Sequence, residues 1–461
     1  MDQKPRQEPE QTRVPDTISK YPLLKYPLDQ PVVMVGSRWI SREQFLRDVD
    51  WWANALPDEP YIINVCRNRY RFMVAFFAAG IRGHCNLLPA GQQPGYINEI
   101  LSLHPNACVV FDTDNTKPQG RAFRITAASA PPDWPVSVPK LAGDQLAAIV
   151  FTSGSTGTSK PIEKSWHTLY EGAFLNRQHF FDTTMTTGTL FATVPPWHMY
   201  GLEWSLMLPM VSDFAVYSGD TFFPDDIRVA LNSVTTKRIL ITTPLHLRAF
   251  IKSGLEFPEL AGVLCATAPL SIELAQEAEA HLGADLLEVY GCSEIGSMAN
   301  RWPARGDNWR FFPELKINRE VDAVHVRTSF IPESVELSDT LKFKADGSFT
   351  LEGRHTDMIK VGGKRASLSE LNNRLLSIDG VIDGIFFEAA SMGLEDSGRL
   401  SALVVAEDLT VKDIRMALAK LIDPVFLPRP LRMVQSLPRM STGKLALGDL
   451  RKLIQKLAQK K

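Results

Sequence analysis

The residues best suited to chemistry lie in short, widely separated stretches. One reads Phe151-Thr152-Ser153-Gly154-Ser155-Thr156-Gly157-Thr158-Ser159-Lys160-Pro161, a run of hydroxyls and glycines closed by a lysine. Glycine admits backbone angles that other residues resist, so successive N–H groups can point at one centre. Hydroxyls add donors and Lys160 adds positive charge, which together suit a polyphosphate; a flexible Ser/Gly linker would explain the same composition without a ligand. The stretch is not a P-loop, which needs four residues between its glycines and then Gly-Lys-Ser/Thr. It also lacks the Gly-x-Ser-x-Gly of a hydrolase elbow. A second stretch, Tyr290-Gly291-Cys292-Ser293-Glu294, offers an aromatic face, a hydroxyl and a hard carboxylate oxygen of the kind Mg²⁺ prefers. Taken alone, His198, within Pro196-Trp197-His198-Met199-Tyr200-Gly201, reads as a satisfied histidine at a helix start, and Lys444, within Leu437-Pro438-Arg439-Met440-Ser441-Thr442-Gly443-Lys444, as one surface lysine among many. No His, Cys or carboxylate spacing suggests zinc.

These residues need elements to hold them. Apolar runs at 61–65, 86–89, 107–111, 146–151, 190–194, 238–242, 262–265 and 286–289 read as strands. Helices are expected between them, at 42–56, at 71–80 ended by glycine, and at 271–282 capped by Gly283. Such alternation implies an α/β fold with mostly parallel sheets covered by helices on both faces. In an open α/β sheet ligands collect beyond the carboxyl ends of strands, and three of the motif-bearing loops each follow such a strand. After about residue 313 the texture changes. Asp346-Gly347 signals a hairpin, Gly362-Gly363 a second tight turn, and Ser367-Leu368-Ser369-Glu370 a capping box. A strand at 400–406, a helix opened by Thr410-x-x-Asp413 and a basic final helix from Leu447 make a small α+β unit. The expected organisation is a surface tail over 1–30, a large domain over 31–355 and a small domain over 356–461.

The chain has 461 residues, enough for two or three cores, with 44% hydrophobic and 22% charged residues. A net charge of −2 gives no general attraction for nucleic acid or anionic membranes. Its five cysteines are scattered without a Cys-x-x-Cys, which argues for a reducing compartment. The N-terminal stretch lacks the apolar core of a secretory signal, and the apolar run at 72–81 is too short to span a bilayer. A cytoplasmic location is expected.

Taken together, and in this order, the motifs resemble those of the ATP-dependent adenylate-forming enzymes: acyl-CoA synthetases, peptide-synthetase adenylation domains and luciferases. The resemblance spans roughly residues 35–455. The family phosphate loop ends in Pro-Lys-Gly where this chain has Ser159-Lys160-Pro161, but the glycine–hydroxyl core is intact. By resemblance, Thr152, Ser153, Gly154, Ser155, Thr156, Gly157 and Lys160 cradle the phosphates of ATP. Ala266-Thr267-Ala268-Pro269-Leu270 is similar to the adenine-side loop. Tyr290-Gly291-Cys292-Ser293-Glu294 resembles Tyr-Gly-x-Thr-Glu, with Tyr290 at adenine, Ser293 at the α-phosphate or carboxylate and Glu294 on Mg²⁺. Ser338-Asp339 stands where an aspartate binds the ribose hydroxyls. His198 stands where the family places a gate beside the substrate carboxylate, with Met199, Gly291 and Ile295 along the acid. Gly353-Arg354-His355-Thr356-Asp357-Met358-Ile359-Lys360-Val361-Gly362-Gly363 resembles the hinge motif, with Arg354 on ribose or phosphate and Thr356 replacing the usual first aspartate. Lys444 falls on the catalytic lysine, whose ammonium offsets the charge that builds when two anions react.

The resemblance implies attack of a carboxylate on the α-phosphorus of MgATP, giving an acyl-adenylate and pyrophosphate, then transfer to a phosphopantetheine thiol. The phosphate loop and the His-Met-Tyr-Gly-Leu-Glu segment look most like the stand-alone hydroxybenzoate ligases of xanthomonadin and aryl polyene pigment pathways, which load an acyl carrier protein. That implies an aryl acid and a discrete carrier as partners. A fatty-acid or aryl CoA ligase shares every motif. A nucleotide-binding protein that has lost catalysis is the alternative suggested by Thr356 and the altered motif ends. Glu203, in an otherwise apolar helix expected over Leu202 to Met210, is expected to face solvent or cap a neighbour, with a bond to a substrate phenol as the functional alternative. The basic face of the last helix (Arg451, Lys452, Lys456, Lys460, Lys461) reads as a solvated face or as a dock for an acidic carrier protein.

Overall fold

The apolar runs become strands buried on both faces, the condition for parallel sheets sandwiched by helices. The computed structural model describes residues 19–459 except 26, 114–119, 154–158, 182–184, 322, 355–357, 362–363, 390–391, 393–399 and 441–442. In one sheet Leu146–Ser153 runs parallel to Cys85–Leu88, and the ladder continues in parallel through Tyr61–Asn64 and Ala107–Phe111 to Ala122–Arg124. Ser159–Ser165 returns antiparallel along Leu146–Ser153, so the two arms of the hydroxyl–glycine loop are held side by side. A second, nine-stranded sheet has Thr187–Ala192, Arg238–Thr242, Gly262–Cys265 and Leu286–Cys292 in parallel succession, with antiparallel edges beyond. The α/β class read from the sequence is the observed one.

Helices fill the layers around these sheets. Arg69–Ile81 begins two residues before the expected start, because the Asn68 side chain accepts from the Arg71 N–H at 3.1 Å and caps it. Its residues from Phe72 to Ala79 have almost no exposed surface. Trp166–Phe180 is capped by Ser165 and carries the buried Trp166 and Tyr170. From residue 359 onward the chain builds hydrophobic clusters of its own. They lie around the strands Val381–Glu388, Leu400–Ala406 and Leu431–Met433 and the helices Leu368–Leu376, Val411–Leu421 and Leu447–Gln459.

Three local expectations are corrected. Part of the expected N-terminal tail is structural: Lys20–Pro22 pairs with Lys140–Ala142, and Leu23 and Leu24 are fully buried. Ser367 precedes its helix but makes no capping bond, and its buried Oγ has no hydrogen-bond partner among the described residues. It still belongs to the strand Lys364–Ser367, and its side chain turns toward Gly353, where an added Cβ would sit 2.6 Å from Oγ. Thr410 and Asp413, by contrast, form the reciprocal capping box. The helix expected over 202–210 is instead a π-helical segment, Leu202–Met207, followed by Leu208–Val211, and it is buried all round.

Candidate active site

The strand Leu146–Ser153 carries Thr152 to the carboxyl edge of the first sheet, where Lys160 pairs opposite it. Thr152 Oγ1 donates to the Lys160 carbonyl at 3.4 Å. Gly154, Ser155, Thr156 and Gly157, and the side chain of Ser153, lie outside the described residues. Lys160 extends into solvent, and its Nζ lies 3.3 Å from Glu294 Oε1. The hydroxyl–glycine stretch and the Tyr290–Glu294 stretch, whose Lys160 and Glu294 are 134 residues apart, therefore meet.

Glu294 occupies the turn between Leu286–Cys292 and Gly296–Arg301. The turn is tight because Gly291 has no side chain: a Cβ there would meet the Gly296 carbonyl oxygen at 2.3 Å. Ser293 is half-buried beside Glu294, while Ile295 is in the core. The Tyr290 hydroxyl donates to Asp339 Oδ2 at 2.9 Å. Its ring is packed edge-on by Trp309 and Phe349, at 5.7 and 6.1 Å between centroids. Asp339 in turn lies across the ladder from Arg354, whose side chain is outside the described residues, as are Thr356, Gly362 and Gly363. Tyr290, Asp339 and the Arg354 backbone thus form one group. On the loop 266–270, Thr267 sits at φ +85°, the left-handed region that threonine avoids. Ala268 and Pro269 beside it line a cavity of about 150 Å³ shared with Ser369, Asn372 and Gly443.

His198 and Lys444, at positions 198 and 444 of the chain, are close enough to interact. His198 is half-buried, its buried Nδ1 has no partner among the described residues, and its pKa is driven down to about 3, first by burial and then by the Lys444 charge. The imidazole is therefore neutral near pH 7. Met199 beside it is buried in the main core. Lys444 is half-buried in a tight turn in which the Met440 N–H donates to the Lys444 carbonyl at 2.7 Å.

Several residues important to this geometry carry no motif in the sequence, or take a place other than the expected one. Lys164 is 1% exposed, and its Nζ donates to the Glu294 carbonyl at 2.5 Å. Burial lowers its pKa to about 8, against the opposing pull of Glu203, Cys292 and Glu294. Glu203 does not face solvent. It is 5% exposed and accepts from Ser297 N at 3.1 Å and Ser297 Oγ at 2.9 Å. Burial raises its pKa to about 7, partly countered by the Ser297 bonds and Lys164. Arg69 braces the approach to His198, donating to the carbonyls of Ala192 and Val194 at 3.0 and 2.8 Å and to Ser205 Oγ. One signal for Lys164 was present in the sequence: it falls between Ile162 and Trp166 on the strand's inward alternation, where an apolar residue belongs.

This constellation, at the carboxyl ends of two sheets, coincides with a match to the model of a known family over residues 23–315, described as AMP-binding enzyme. The chain belongs to the AMP-binding enzyme family. It is 29% identical over 309 residues to a 4-coumarate–CoA ligase of Rhodobacter capsulatus, covering 66% of this chain and 76% of that one. It is 24% identical over 374 residues to a 3-hydroxybenzoate–CoA/4-hydroxybenzoate–CoA ligase of Thauera aromatica, covering 68% of each. In fold it is similar to the anthranilate CoA ligase AuaEII in complex with anthranoyl-AMP. There the TM-score is 0.77 at 14% identity, with 94% of this chain and 95% of that one covered. ATP-bound MatB from Rhodopseudomonas palustris gives a TM-score of 0.74 at 18% identity, with 93% and 96% covered. Among the described residues no helix is long and apolar enough to cross a membrane, and no group of three metal-ligating side chains occurs.

Proposed function

We propose that this AMP-binding enzyme activates a small aryl carboxylic acid of the hydroxybenzoate type with ATP and passes the acyl group to a phosphopantetheine thiol. The observation that carries the reading is the meeting of Lys160 with Glu294, held from behind by Lys164, beside the Tyr290–Asp339 pair. Lys160 and the hydroxyl–glycine loop would take the phosphates. Asp339 and Arg354 would take the ribose, and the backbone of Thr267, Ala268 and Pro269 would take the adenine side.

The carboxylate oxygen of the acid attacks the α-phosphorus, and the bond to the pyrophosphate oxygen breaks. Two anions must approach, so positioning and charge neutralisation carry the step. Lys444 supplies the ammonium at that point. His198, neutral and half-buried, would close the carboxylate end of the pocket without adding charge. A single exposed-edge carboxylate suits Mg²⁺, which keeps most of its waters and takes its other ligands from phosphate oxygens. The Glu294 carboxylate, 36% exposed, offers such an oxygen, and the Lys160 ammonium it now faces would turn to the phosphates for the ion to take its place. When bound, the ion would neutralise phosphate charge.

The aryl class is supported by relatives named for 4-coumarate and for 3- and 4-hydroxybenzoate. A discrete acyl carrier protein as acceptor rests on the likeness of the phosphate loop and the His-Met-Tyr-Gly-Leu-Glu segment to the pigment-pathway ligases. The names of the relatives favour free CoA as the second reading. Mass spectrometry of products tests both. The protein is incubated with MgATP and a panel of benzoates, cinnamates and fatty acids, then with CoA or a holo-carrier protein. AMP and an aryl thioester on one of the two thiols are expected. AMP formation driven only by aliphatic acids would overturn the substrate class.

A further inference from the structure

The turn that carries Lys444 is tied to the C-terminal sheet by one side chain. Arg439 donates through Nε to Asp383 Oδ2 and through Nη2 to Asp383 Oδ1, both at 2.6 Å, and through Nη1 to the carbonyl of Gly443, also at 2.6 Å. Asp383 belongs to the strand Val381–Glu388, in the three-stranded sheet. The two side chains are only 21% and 14% exposed, so the pair is shielded from solvent far more than a surface bridge. A planar guanidinium satisfying a carboxylate bidentately, with a third N–H left for a carbonyl, fixes direction as well as distance. That third acceptor is the peptide oxygen immediately before Lys444.

The turn also abuts the large part of the molecule. Gly443 sits at φ +79°, and a Cβ built on it would lie 3.3 Å from Leu245 Cβ in the helix Pro244–Ser253. Arg248 of that helix lines the same cavity of about 150 Å³ as Asp383, Arg439 and Gly443. Burial lowers the Arg248 pKa while Asp383 opposes the fall and Arg439 adds to it. One carboxylate therefore faces two guanidiniums, one from each side of the seam.

We propose that Asp383 and Arg439 are positioning residues that hold the Lys444 turn in the shape needed for acid activation. The inference rests on the proposed role of Lys444 and adds the device that aims it. Neither residue touches the reacting atoms. Because the carboxylate and the guanidinium both lie in the C-terminal part, the clamp preserves the shape of the turn itself, while Leu245 is the surface it seats on.

The test compares full-length wild type with Asp383→Asn and Arg439→Lys. Acid-dependent ATP–pyrophosphate exchange is expected to fall in kcat by about 10²-fold, the order of effect of misplacing a catalytic group by about 1 Å. KM for ATP is expected to stay near the wild-type value, as is transfer from preformed acyl-adenylate to thiol. Arg439→Lys, which keeps the charge but loses the fork, is expected not to rescue. Amide hydrogen exchange supplies a readout independent of turnover: peptides spanning Arg439 to Ala446 should exchange faster in Asp383→Asn while the rest of the protein keeps wild-type protection. Unchanged kcat and unchanged protection would overturn the proposal, as would a rise in KM at constant kcat or full rescue by lysine. A wild type that exchanges no pyrophosphate with any acid would sink the proposed function. The clamp would then still stand or fall on the hydrogen-exchange result.

Discussion

Replacing Lys164 by methionine separates function from stability at this site. The lysine is 1% exposed, and burial moves its pKa from 10.5 to about 8. At about 1.4 kcal/mol per pKa unit, keeping the ammonium charged in the folded protein costs roughly 3 kcal/mol relative to the unfolded chain. That figure is already net of the bond to the Glu294 carbonyl; removing the lysine relieves it but leaves that carbonyl without its donor, which costs about 1–3 kcal/mol, so the two nearly cancel. Methionine has a similar length and no charge to desolvate. Lys164→Met is therefore expected to lie within about 1 kcal/mol of wild type in urea denaturation near pH 7. The turn bearing Ser293 and Glu294 loses its inner tie, and exchange activity should fall by about 10- to 100-fold. The pH dependence supplies a second check. Between the folded pKa near 8 and the unfolded value of 10.5, the unfolded chain holds a proton that the folded one has released, so this group adds stability as pH rises through that window. Below it both states are protonated and the penalty is constant. The slope should vanish in the variant. A loss of more than about 3 kcal/mol with undiminished activity per folded molecule would show a purely structural lysine and refute the reasoning.

Two further outcomes follow from the same geometry. Gly291→Ala places a methyl 2.3 Å from the Gly296 carbonyl oxygen, so the turn must open; thermal unfolding should show a loss of about 1–3 kcal/mol, and wild-type stability would contradict the close approach. His198, with its pKa pushed down to about 3, should show no imidazole titration by NMR between about pH 5 and 8. Because its folded pKa lies below the unfolded value of 6.5, the stability it contributes is present above that value and is lost as pH falls toward 3. A titration midpoint near 6.5 would contradict that shift.

The sequence shows the fold class because parallel strands buried on both faces leave unbroken apolar runs, and Leu146–Ser153, Arg238–Thr242 and Gly262–Cys265 do so. The encounter of Lys160 with Glu294 was legible only in part: each motif follows the carboxyl end of a parallel strand, where ligands collect, but the two strands belong to different sheets whose mutual placement no motif states. What was hidden depended on register. Glu203 in an apolar helix invites a solvent-facing reading under a 3.6-residue period, but the π-helical turn and packing on all sides carry it inward to Ser297. Ser367 and Glu370 have the spacing of a capping box, yet the serine is still in a strand and its side chain points to Gly353. Leu23 and Leu24 sit in a segment that composition marks as a tail, and only pairing with Lys140–Ala142 shows that they are core. Arg439 was visible as part of the lysine motif, but its partner Asp383 lies 56 residues away and carries no motif of its own.

The most direct measurement is ATP–pyrophosphate exchange by the intact protein across aryl and alkyl acids, with Lys444→Ala alongside. Exchange driven by a hydroxybenzoate-type acid, and abolished in Lys444→Ala while ATP still binds, is the expected result. ATP binding with no exchange under any acid, or a Lys444→Ala protein as active as wild type, would contradict the account.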